Sequence, residues 1–366
     1  MGEWNYCKLG KVINLKRGYD LPKKNRIDGN VPVISSSGIA GYHNEEKVKG
    51  PGVITGRYGT VGSVFYSTTC FWPLNTSLYV QDFKGNDVVF IYYLLRNFDF
   101  EQFNDKSAVP GINRNHVHEA SINIPPLPEQ KAIASVLSSL DDKIDLLHRQ
   151  NKTLEAMVET LFRQWFVEEA QEDWEEKQLS FFGEIICGKT PSKKIHSYFN
   201  GKIPFIKIPD MHGNIFLFET ADSLTEEGKQ SQDSKTLPPK SICVSCIATV
   251  GLVSINAKES QTNQQINSII PKKDSYRYFL YLTMNSYNDL LHSMASGGTA
   301  TLNLNTGNFS KIPILYPGDN CLLAFQREVE PYFDKIFINQ IQIRTLEKLQ
   351  DTLLPKLMSG EVRVKI

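Results

Sequence analysis

The chain has 366 residues, long for one domain and comfortable for two joined by a connecting element. Its 40 basic residues balance 40 acidic ones, so overall charge selects no class of partner. Six cysteines (7, 70, 187, 243, 246 and 321) show no paired framework, the first residues lack an apolar signal core, and no apolar run approaches the ~18 residues of a membrane span; a soluble, cytoplasmic protein of a reducing compartment is expected.

Taken from the start, the chain runs through the same plan twice. Trp4 and Leu9 stand in a W-x-x-x-x-L frame that returns as Trp174 and Leu179, and Gly18 and Gly188 follow at matching distances. Short apolar strands come next, Val31-Pro32-Val33-Ile34-Ser35 against Ile203-Pro204-Phe205-Ile206-Lys207. The β-branched runs at 53–55 and 242–245 have the pattern of buried strands, and each precedes a Thr-Val-Gly triplet, Thr60-Val61-Gly62 and Thr249-Val250-Gly251. Asp87 and Asp274 are placed to cap aromatic-rich helices, VVFIYYLLRNF and SYRYFLYLTMNSY. Each half is therefore expected to be a mixed α/β globule. The halves do not correspond over residues 25–50 and 198–240, and one frame carrying different loops points to two different targets.

Each globule leads into a long helix. Pro125, Pro126 and Pro128 stop any helix before residue 129, and from there to 166 the apolar positions step by four and three: Ile133, Leu137, Leu140, Ile144, Leu147, Asn151, Leu154, Val158, Leu161 and Trp165, with only Asn151 polar. An unbroken helix of ~38 residues would be about 57 Å long at 1.5 Å per residue, so it needs a partner helix. Residues 321–357 supply one, through Phe325, Val329, Tyr332, Ile336, Asn339, Ile343, Leu346, Gln350 and Leu353. Asp142-Lys143-Ile144 recurs as Asp334-Lys335-Ile336 and Thr153-Leu154-Glu155 as Thr345-Leu346-Glu347, at one common offset, which marks an internal duplication. The order globule, helix, globule, helix closes if the helices pack antiparallel, with the globules at opposite ends of the rod about an approximate two-fold axis. A buried amide in a seam needs a hydrogen-bonding partner, which sets Asn151 opposite Asn339. That register pairs Trp165 with Phe325, Leu161 with Val329, Val158 with Tyr332, Leu154 with Ile336, Leu147 with Ile343, Ile144 with Leu346 and Leu137 with Leu353, and leaves Gln350 facing Leu140 as a polar mismatch. The alternative is that both asparagines face solvent or another protein's helix.

Local charge suggests what the globules bind. Lys8, Lys11, Lys16, Arg17, Lys23, Lys24 and Arg26 stand against Asp20 alone, and Lys189, Lys193, Lys194, Lys202 and Lys207 occupy the matching stretch of the second half with no acid among them. A basic stretch recurring at equivalent positions of a neutral chain is expected where phosphates lie against an edge, although a solvated charged face gives the same signal at a single site. Arg57 and Tyr58 in GRYGTVG, Asn75 in PLNTS, and Asn263, Gln264 and Gln265 have the donor and acceptor geometry for base edges, as clusters more than as individuals.

Motifs for chemistry fare worse. Residues 183–190 fit G-x-x-x-x-G-K-T, but Pro191 disfavours the helical conformation that Thr190 needs, and Ile13 stands where the first half should carry Gly183. Cys243 and Cys246 lie in a strand pattern with no second pair, and His116 and His118 flank Val117 without a metal-binding companion. No nucleophile triad or methyltransferase tetrad is evident, so a non-catalytic chain with no metal is expected.

With these residues in view, the chain resembles the specificity subunit of type I restriction-modification enzymes over essentially its whole length. The resemblance rests on PPLPEQKAIASVLSSLDDKIDLLHRQNKTLE, the W-x-x-x-x-L openings, Gly188-Lys189-Thr190-Pro191-Ser192, Ser296-Gly297-Gly298-Thr299 followed by LNLN, and TLLPKLMSGEVRV. In the first half Pro110-Gly111-Ile112-Asn113 replaces the glycine-threonine run, and the second helix lacks the Pro-Glu-Gln opening. The resemblance implies target recognition domains at 1–128 and 171–317 and spacer helices at 129–170 and 318–366, an α/β chain with a pseudo-two-fold repeat. It implies recognition of an asymmetric bipartite DNA sequence for host defence, within a complex of two methyltransferase subunits that use S-adenosylmethionine for adenine-N6 methylation and of motor-nuclease restriction subunits. A scaffold pairing two protein partners, or a nucleotide-binding enzyme built on residues 183–190, are the competing readings.

Overall fold

The computed structural model describes residues 3–105, 111–296 and 302–365. The glycine-threonine run at 297–299 and Pro110 lie outside the described residues. In chain order the elements are β1 (Asn5–Lys8), α1 (Leu9–Val12), β2 (Asn14–Arg17), β3 (Val31–Ser35), β4 (Gly38–His43), β5 (Gly52–Gly56), β6 (Val64–Ser67), β7 (Trp72–Pro73), β8 (Ser77–Asp82), α2 (Val88–Arg96), β9 (Asn104–Asp105), β10 (Gly111–Ile112), α3 (Arg114–His118), β11 (Ser121–Ile124) and α4 (Leu127–Arg163). After a π turn at Gln164–Glu168 come β12 (Glu175–Gln178), α5 (Leu179–Phe182), β13 (Gly183–Cys187), β14 (Phe199–Ile206), α6 (Ile208–Met211), β15 (Phe216–Leu217), β16 (Asp222–Leu224), α7 (Glu226–Gln230), β17 (Ile242–Ser245), β18 (Val253–Asn256), β19 (Gln261–Thr262), β20 (Ile266–Pro271), α8 (Arg277–Ser286), α9 (Asn288–Ala295), α10 (Thr306–Ser310), β21 (Pro313–Tyr316) and α11 (Asp319–Ser359). Two compact units emerge, Met1–Leu146 with Gln342–Ile366, and Leu147–Ile341, so the division falls inside both long helices.

The first unit carries the sheet β2-β8-β5-β6, all antiparallel, and a smaller sheet β4-β3-β7 in which β3 and β7 run parallel. The second carries β13-β20-β17-β18-β15 and β16-β14-β19, with β14 parallel to β19. In each, the strand after the opening tryptophan closes on the strand before the long helix, β1 on β11 and β12 on β21. The runs at 53–55 and 242–245 are central strands buried along their length, β5 and β17. Residues 25–50 and 198–240 share more than their sequences suggest, because both hold the central strand of the small sheet. What differs is the outer strand, β4 or β16, and the insertion of α6, β15 and α7. Buried amides hold that insertion. Gln261 donates to the Lys229 and Gln232 carbonyls and to Thr236, and Asn256 donates to the Pro238 and Lys258 carbonyls and to Ser260.

Asp87 caps α2 by accepting the Phe90 amide at 2.9 Å. Asp274 caps nothing: it opens a 3-10 turn, Asp274–Tyr276, and its carboxylate takes Arg277 Nη1 at 2.5 Å. The Arg277 side chain is 2% exposed and also lies 3.4 Å from Glu330. A buried guanidinium has the stronger claim on a carboxylate than a backbone amide does.

Each unit contains a stretch of both long helices, and in each they run antiparallel. In the first, Ile133, Ala134 and Leu137 of α4 share a core with Leu357 and Met358 of α11. In the second, Val158 and Phe162 pack with Phe325, Val329, Phe333 and Ile336. Pro128 sits in the first turn of α4, where its missing amide costs nothing. Pro331 and Pro355, inside α11, are exposed, so the carbonyls they free meet water.

The seam residues Leu137, Asn151, Val329, Ile336 and Asn339 are buried, while Ile144, Leu154, Leu161, Leu346 and Leu353 are half-buried. Asn339 Nδ2 donates to Asn151 Oδ1 at 2.8 Å, and the Trp165 and Phe325 rings stand 5.6 Å apart. Gln350 is no mismatch. Its Nε2 donates to Asp141 Oδ1 at 2.7 Å, and Asp141 Oδ2 accepts the Tyr93 hydroxyl at 2.6 Å, so the polar layer is knotted to α2. At the helix ends Arg363 binds Glu129 through Nε at 2.7 Å and Nη2 at 2.5 Å, with the Trp4 indole donating at 3.3 Å.

These buried polar contacts should be visible in stability measurements. Asn151→Leu alone or Asn339→Leu alone strands one buried amide and should cost about 1–3 kcal/mol in urea unfolding, whereas the double replacement should recover most of it. Glu129 is fully buried, and the Arg363 hydrogen bonds hold its carboxyl below the usual glutamate value. Its stabilisation is therefore present above the ordinary glutamate range and lost as pH falls through the lowered value. Arg363→Met should lower stability at neutral pH, and the gap to the wild type should shrink as pH falls, starting above the ordinary glutamate range, because burial without the arginine raises the pKa of the stranded carboxyl and lets it take a proton early.

Candidate nucleic-acid interface

Close backbone approach builds the same surface in both units. In the first, the Gly18 amide donates to the Ser77 carbonyl at 3.1 Å and Tyr19 to Pro73 at 2.8 Å; in the second, Gly188 donates to Ile266 at 3.1 Å and Lys189 to Thr262 at 2.9 Å. A β-carbon on Gly18 would lie 2.0 Å from the Leu74 carbonyl oxygen, and one on Gly188 would lie 2.2 Å from that of Asn263. Only glycine allows these turns to touch. Residues 74–77 and 263–266 then make matching turns, closed by Ser77 to Leu74 at 2.9 Å and Ile266 to Asn263 at 3.2 Å.

A third loop joins each pair. Arg57 donates through its amide to the Thr76 carbonyl at 2.9 Å, and Cys246 does the same to Gln265 at 2.8 Å. GRYGTVG and SCIATVG share a backbone: Gly59 and Ala248 have φ of 79° and 65°, and Gly62 and Gly251 have 79° and 90°. The loop is thus a common frame whose residues differ: Arg57 is half-buried and Tyr58 exposed in one unit, whereas in the other Cys246 is buried and Ile247 half-buried. Arg57 stacks over the Tyr58 ring at 4.3 Å and donates to its hydroxyl at 3.1 Å, a pair held as one flat, polar-edged plate. Ile112 and Leu304 fasten to this loop equivalently, on the carbonyls of Arg57 at 3.1 Å and Cys246 at 2.9 Å, so Gly111–Asn113 matches residues 303–305 of LNLN and does not replace the glycine-threonine run.

The candidate residues separate by what already occupies them. Arg17, Lys23, Lys24, Lys189, Lys193 and Lys194 are exposed, Lys23 and Lys24 on the 3-10 turn Lys23–Asn25. Arg57, Tyr58 and Asn75 gather on one surface, as do Lys189, Gln264 and Gln265 on the other. Three candidates have work inside the fold. Lys207 is ion-paired with Asp222, Arg26 donates to the Ala40 carbonyl at 2.6 Å, and Asn263 is buried, with its amide exchanging hydrogen bonds with Gln265.

Sequence reading missed Lys47, whose ammonium lies 4.7 Å over the Trp72 ring, beside His43. Lys16 lies similarly 5.7 Å over Tyr19, whose hydroxyl is 3.1 Å from that of Tyr79. The Tyr79 hydrogen bond and the Lys16 charge hold the Tyr19 phenol below its ordinary value, while burial pushes Tyr79 up. Two residues that the sequence offered only as a lone acid and as part of the G-K-T stretch have polar partners here: Asp20 accepts from Asn75 Nδ2 at 2.8 Å, and Thr190 Oγ1 donates to Gln264 Oε1 at 2.7 Å.

Residues 183–187 form the paired strand β13, and the Gly188 amide is committed to Ile266, so this stretch is no phosphate cradle. Burial pushes the Cys243 thiol up to about 12 and that of Cys246 to about 11, which leaves both protonated and poor metal ligands. His118 Nε2 accepts the Leu15 amide at 2.9 Å and belongs to the fold. Among the described residues no group of three or more histidine, cysteine or acidic side chains is placed to hold a metal ion, and no helix is long and apolar enough to cross a membrane.

The model of the type I restriction modification DNA specificity domain matches residues 1–156 and again 171–349. The chain belongs to that specificity family. The type I restriction enzyme HindI specificity subunit of Haemophilus influenzae is 38% identical over 327 residues, 69% of this chain and 71% of that one. The MjaIX specificity subunit of Methanocaldococcus jannaschii is 26% identical over 80% of this chain and 74% of its own. Among solved structures, the S subunit of a type I restriction-modification system from M. genitalium has the same fold, with a TM-score of 0.68 over 97% of this chain and 96% of that chain at 17% identity. Each match to the domain model covers one glycine-dependent turn pair of this specificity-family chain, that of Gly18 or that of Gly188.

Gly18→Ala and Gly188→Ala should each push the two turns of one unit apart and leave the other unit intact. Chemical shifts or hydrogen exchange at residues 73–77 or at 262–266 respectively should report the change, with a fall in melting temperature for each variant; an unchanged turn in either would mean that the contact does not depend on glycine.

Proposed function

We propose that this specificity-family chain reads an asymmetric, bipartite DNA target, one half with each unit, and positions methyltransferase subunits on it. The observation that carries the reading is the recurrence, at the same place in both units, of a polar turn pair beside exposed lysines, on a shared backbone with different outward side chains. Phosphate contacts from Lys23, Lys24, Lys189, Lys193 and Lys194 fix register, and the turn residues and the Arg57–Tyr58 plate carry the sequence information. The two antiparallel helices separate the half-sites and offer seats to two methyltransferase subunits, and motor-nuclease subunits join that assembly for restriction. Methyl transfer to an adenine requires the base to leave the stack at a cost of a few kcal/mol, and that work belongs to the partner subunits, with S-adenosylmethionine as methyl donor. The chain is the recognition subunit of the complex and not its catalyst.

Methylome sequencing of cells with and without the chain and its methyltransferase partner tests this directly: one bipartite motif should lose its methylation when the chain is removed. In the assembled complex, Lys23→Gln with Lys24→Gln, or Lys193→Gln with Lys194→Gln, should lower the salt slope of DNA binding by about one unit for each phosphate no longer neutralised. Lys207→Met should leave that slope unchanged and lower stability instead. An unchanged slope in both double variants would remove these lysines from the phosphate surface.

A further inference from the structure

The side-chain bridges Asp20–Asn75 and Thr190–Gln264 join topologically identical positions. Asp20 and Thr190 each stand two residues after the glycine that touches the opposing turn, and Asn75 and Gln264 are each the second residue of that turn. The bridges measure 2.8 and 2.7 Å. The residue types differ in every position, so no requirement of the shared fold explains both. What they have in common is chemical: a carboxamide at the tip of the turn, held by one oxygen-bearing side chain from across the gap.

In the first unit the orientation of the amide is forced. A carboxylate only accepts, so Asp20 must take an N–H of Asn75, which leaves the amide oxygen and the second N–H free. That remaining pair, one donor and one acceptor about 2 Å apart, is the complement of the N7 and N6 groups on the major-groove edge of adenine. Guanine offers two acceptors on that edge, and the fixed amide oxygen would face one of them. In the second unit Gln264 is exposed and longer, and Thr190 anchors its oxygen while both N–H groups and one lone pair stay outward.

Resting on the DNA-reading function proposed above, we infer that Asn75 and Gln264 are equivalent base readers, one per half-site, each recognising an adenine through its carboxamide, that Asp20 is the positioning residue that fixes which way the Asn75 amide faces, and that Thr190 is the positioning residue that holds Gln264 in place. Asp20 and Thr190 touch no base. Asp20 supplies discrimination by denying the Asn75 amide its flipped orientation, and Thr190, whose hydroxyl can accept as well as donate, acts by holding Gln264 ordered before binding, since a flexible amide loses freedom on binding and tolerates more than one edge.

The test uses the complex assembled with its methyltransferase partners and selection from a duplex pool randomised at every position of the target. Asp20→Asn keeps the shape of the side chain but can donate as well as accept. It should reduce the preference for adenine by about tenfold or more at one position of one half-site, with the other half-site unchanged, and Asn75→Ala should affect the same position. Thr190→Val and Gln264→Ala should do the same at one position of the other half-site, while Thr190→Ser, which restores the hydroxyl, should keep the wild-type preference. A purely structural role predicts a lower melting temperature or a uniform loss of affinity with the base profile intact, and either result overturns the inference, as does a changed position that specifies a base other than adenine. A wild-type complex that selects no sequence at all would overturn the DNA-reading function itself, and this inference with it.

Discussion

Two helices of 37 and 41 residues, each with an apolar stripe along its length, cannot be satisfied by one globule apiece. The stripe has to be covered from end to end, and only another helix of similar length does that. Each globule therefore forms on a stretch of both helices, with Leu137 and Leu357 in one core and Val158 and Phe325 in the other. Within each unit this seam sets the register in which its two helix stretches pack. Polar residues set that register. Apolar contacts tolerate sliding by a turn, whereas the Asn151–Asn339 amide pair, the Asp141–Gln350 bridge and the Glu129–Arg363 ion pair are each costly to break.

The seam was the most legible feature of the sequence because a step pattern of four and three survives averaging over ten positions, and because the duplication supplies an independent check. Strands β5 and β17 were legible for the same reason, as continuous β-branched runs. Asp274 misled because a capping acid and an acid paired to a buried arginine look alike until the arginine's burial is known. Gln350 looked like a mismatch because the sequence ranks neighbours along one helix pair, and its partner Asp141 is tied to Tyr93 on a third element. The buried amides Gln261 and Asn256, which hold the insertion of the second unit, gave no signal; each satisfies carbonyls 18 to 32 residues away.

The candidate interface was partly legible. Basic stretches flank the turns that Gly18 and Gly188 bring together, yet side-chain type alone did not separate Lys193, which is exposed, from Lys207, which is locked to Asp222. The bond of Asp20 to Asn75 was not legible because a lone acid in a basic run reads as a counter-charge, while its partner lies 55 residues further on. The frame of each unit is written in glycines and backbone hydrogen bonds, and its surface chemistry in the side chains that those bonds leave free. That division explains how two copies of one architecture diverge in surface chemistry without losing their shape.

The membership of the two units has a consequence for how the chain is made. The second, residues 147–341, is contiguous and is complete as soon as its last residue leaves the ribosome. The first is split: residues 1–146 precede the second unit, but Leu357, Met358 and Arg363, which complete its core and neutralise Glu129, are synthesised only after all of it. The usual order of assembly during translation, N-terminal domain first, is therefore inverted here. The half of the molecule that is made first must wait, with an apolar face open, until the ribosome has finished the other half, and a ribosome that stalls between residues 341 and 357 leaves the older domain unfinished and the younger one whole.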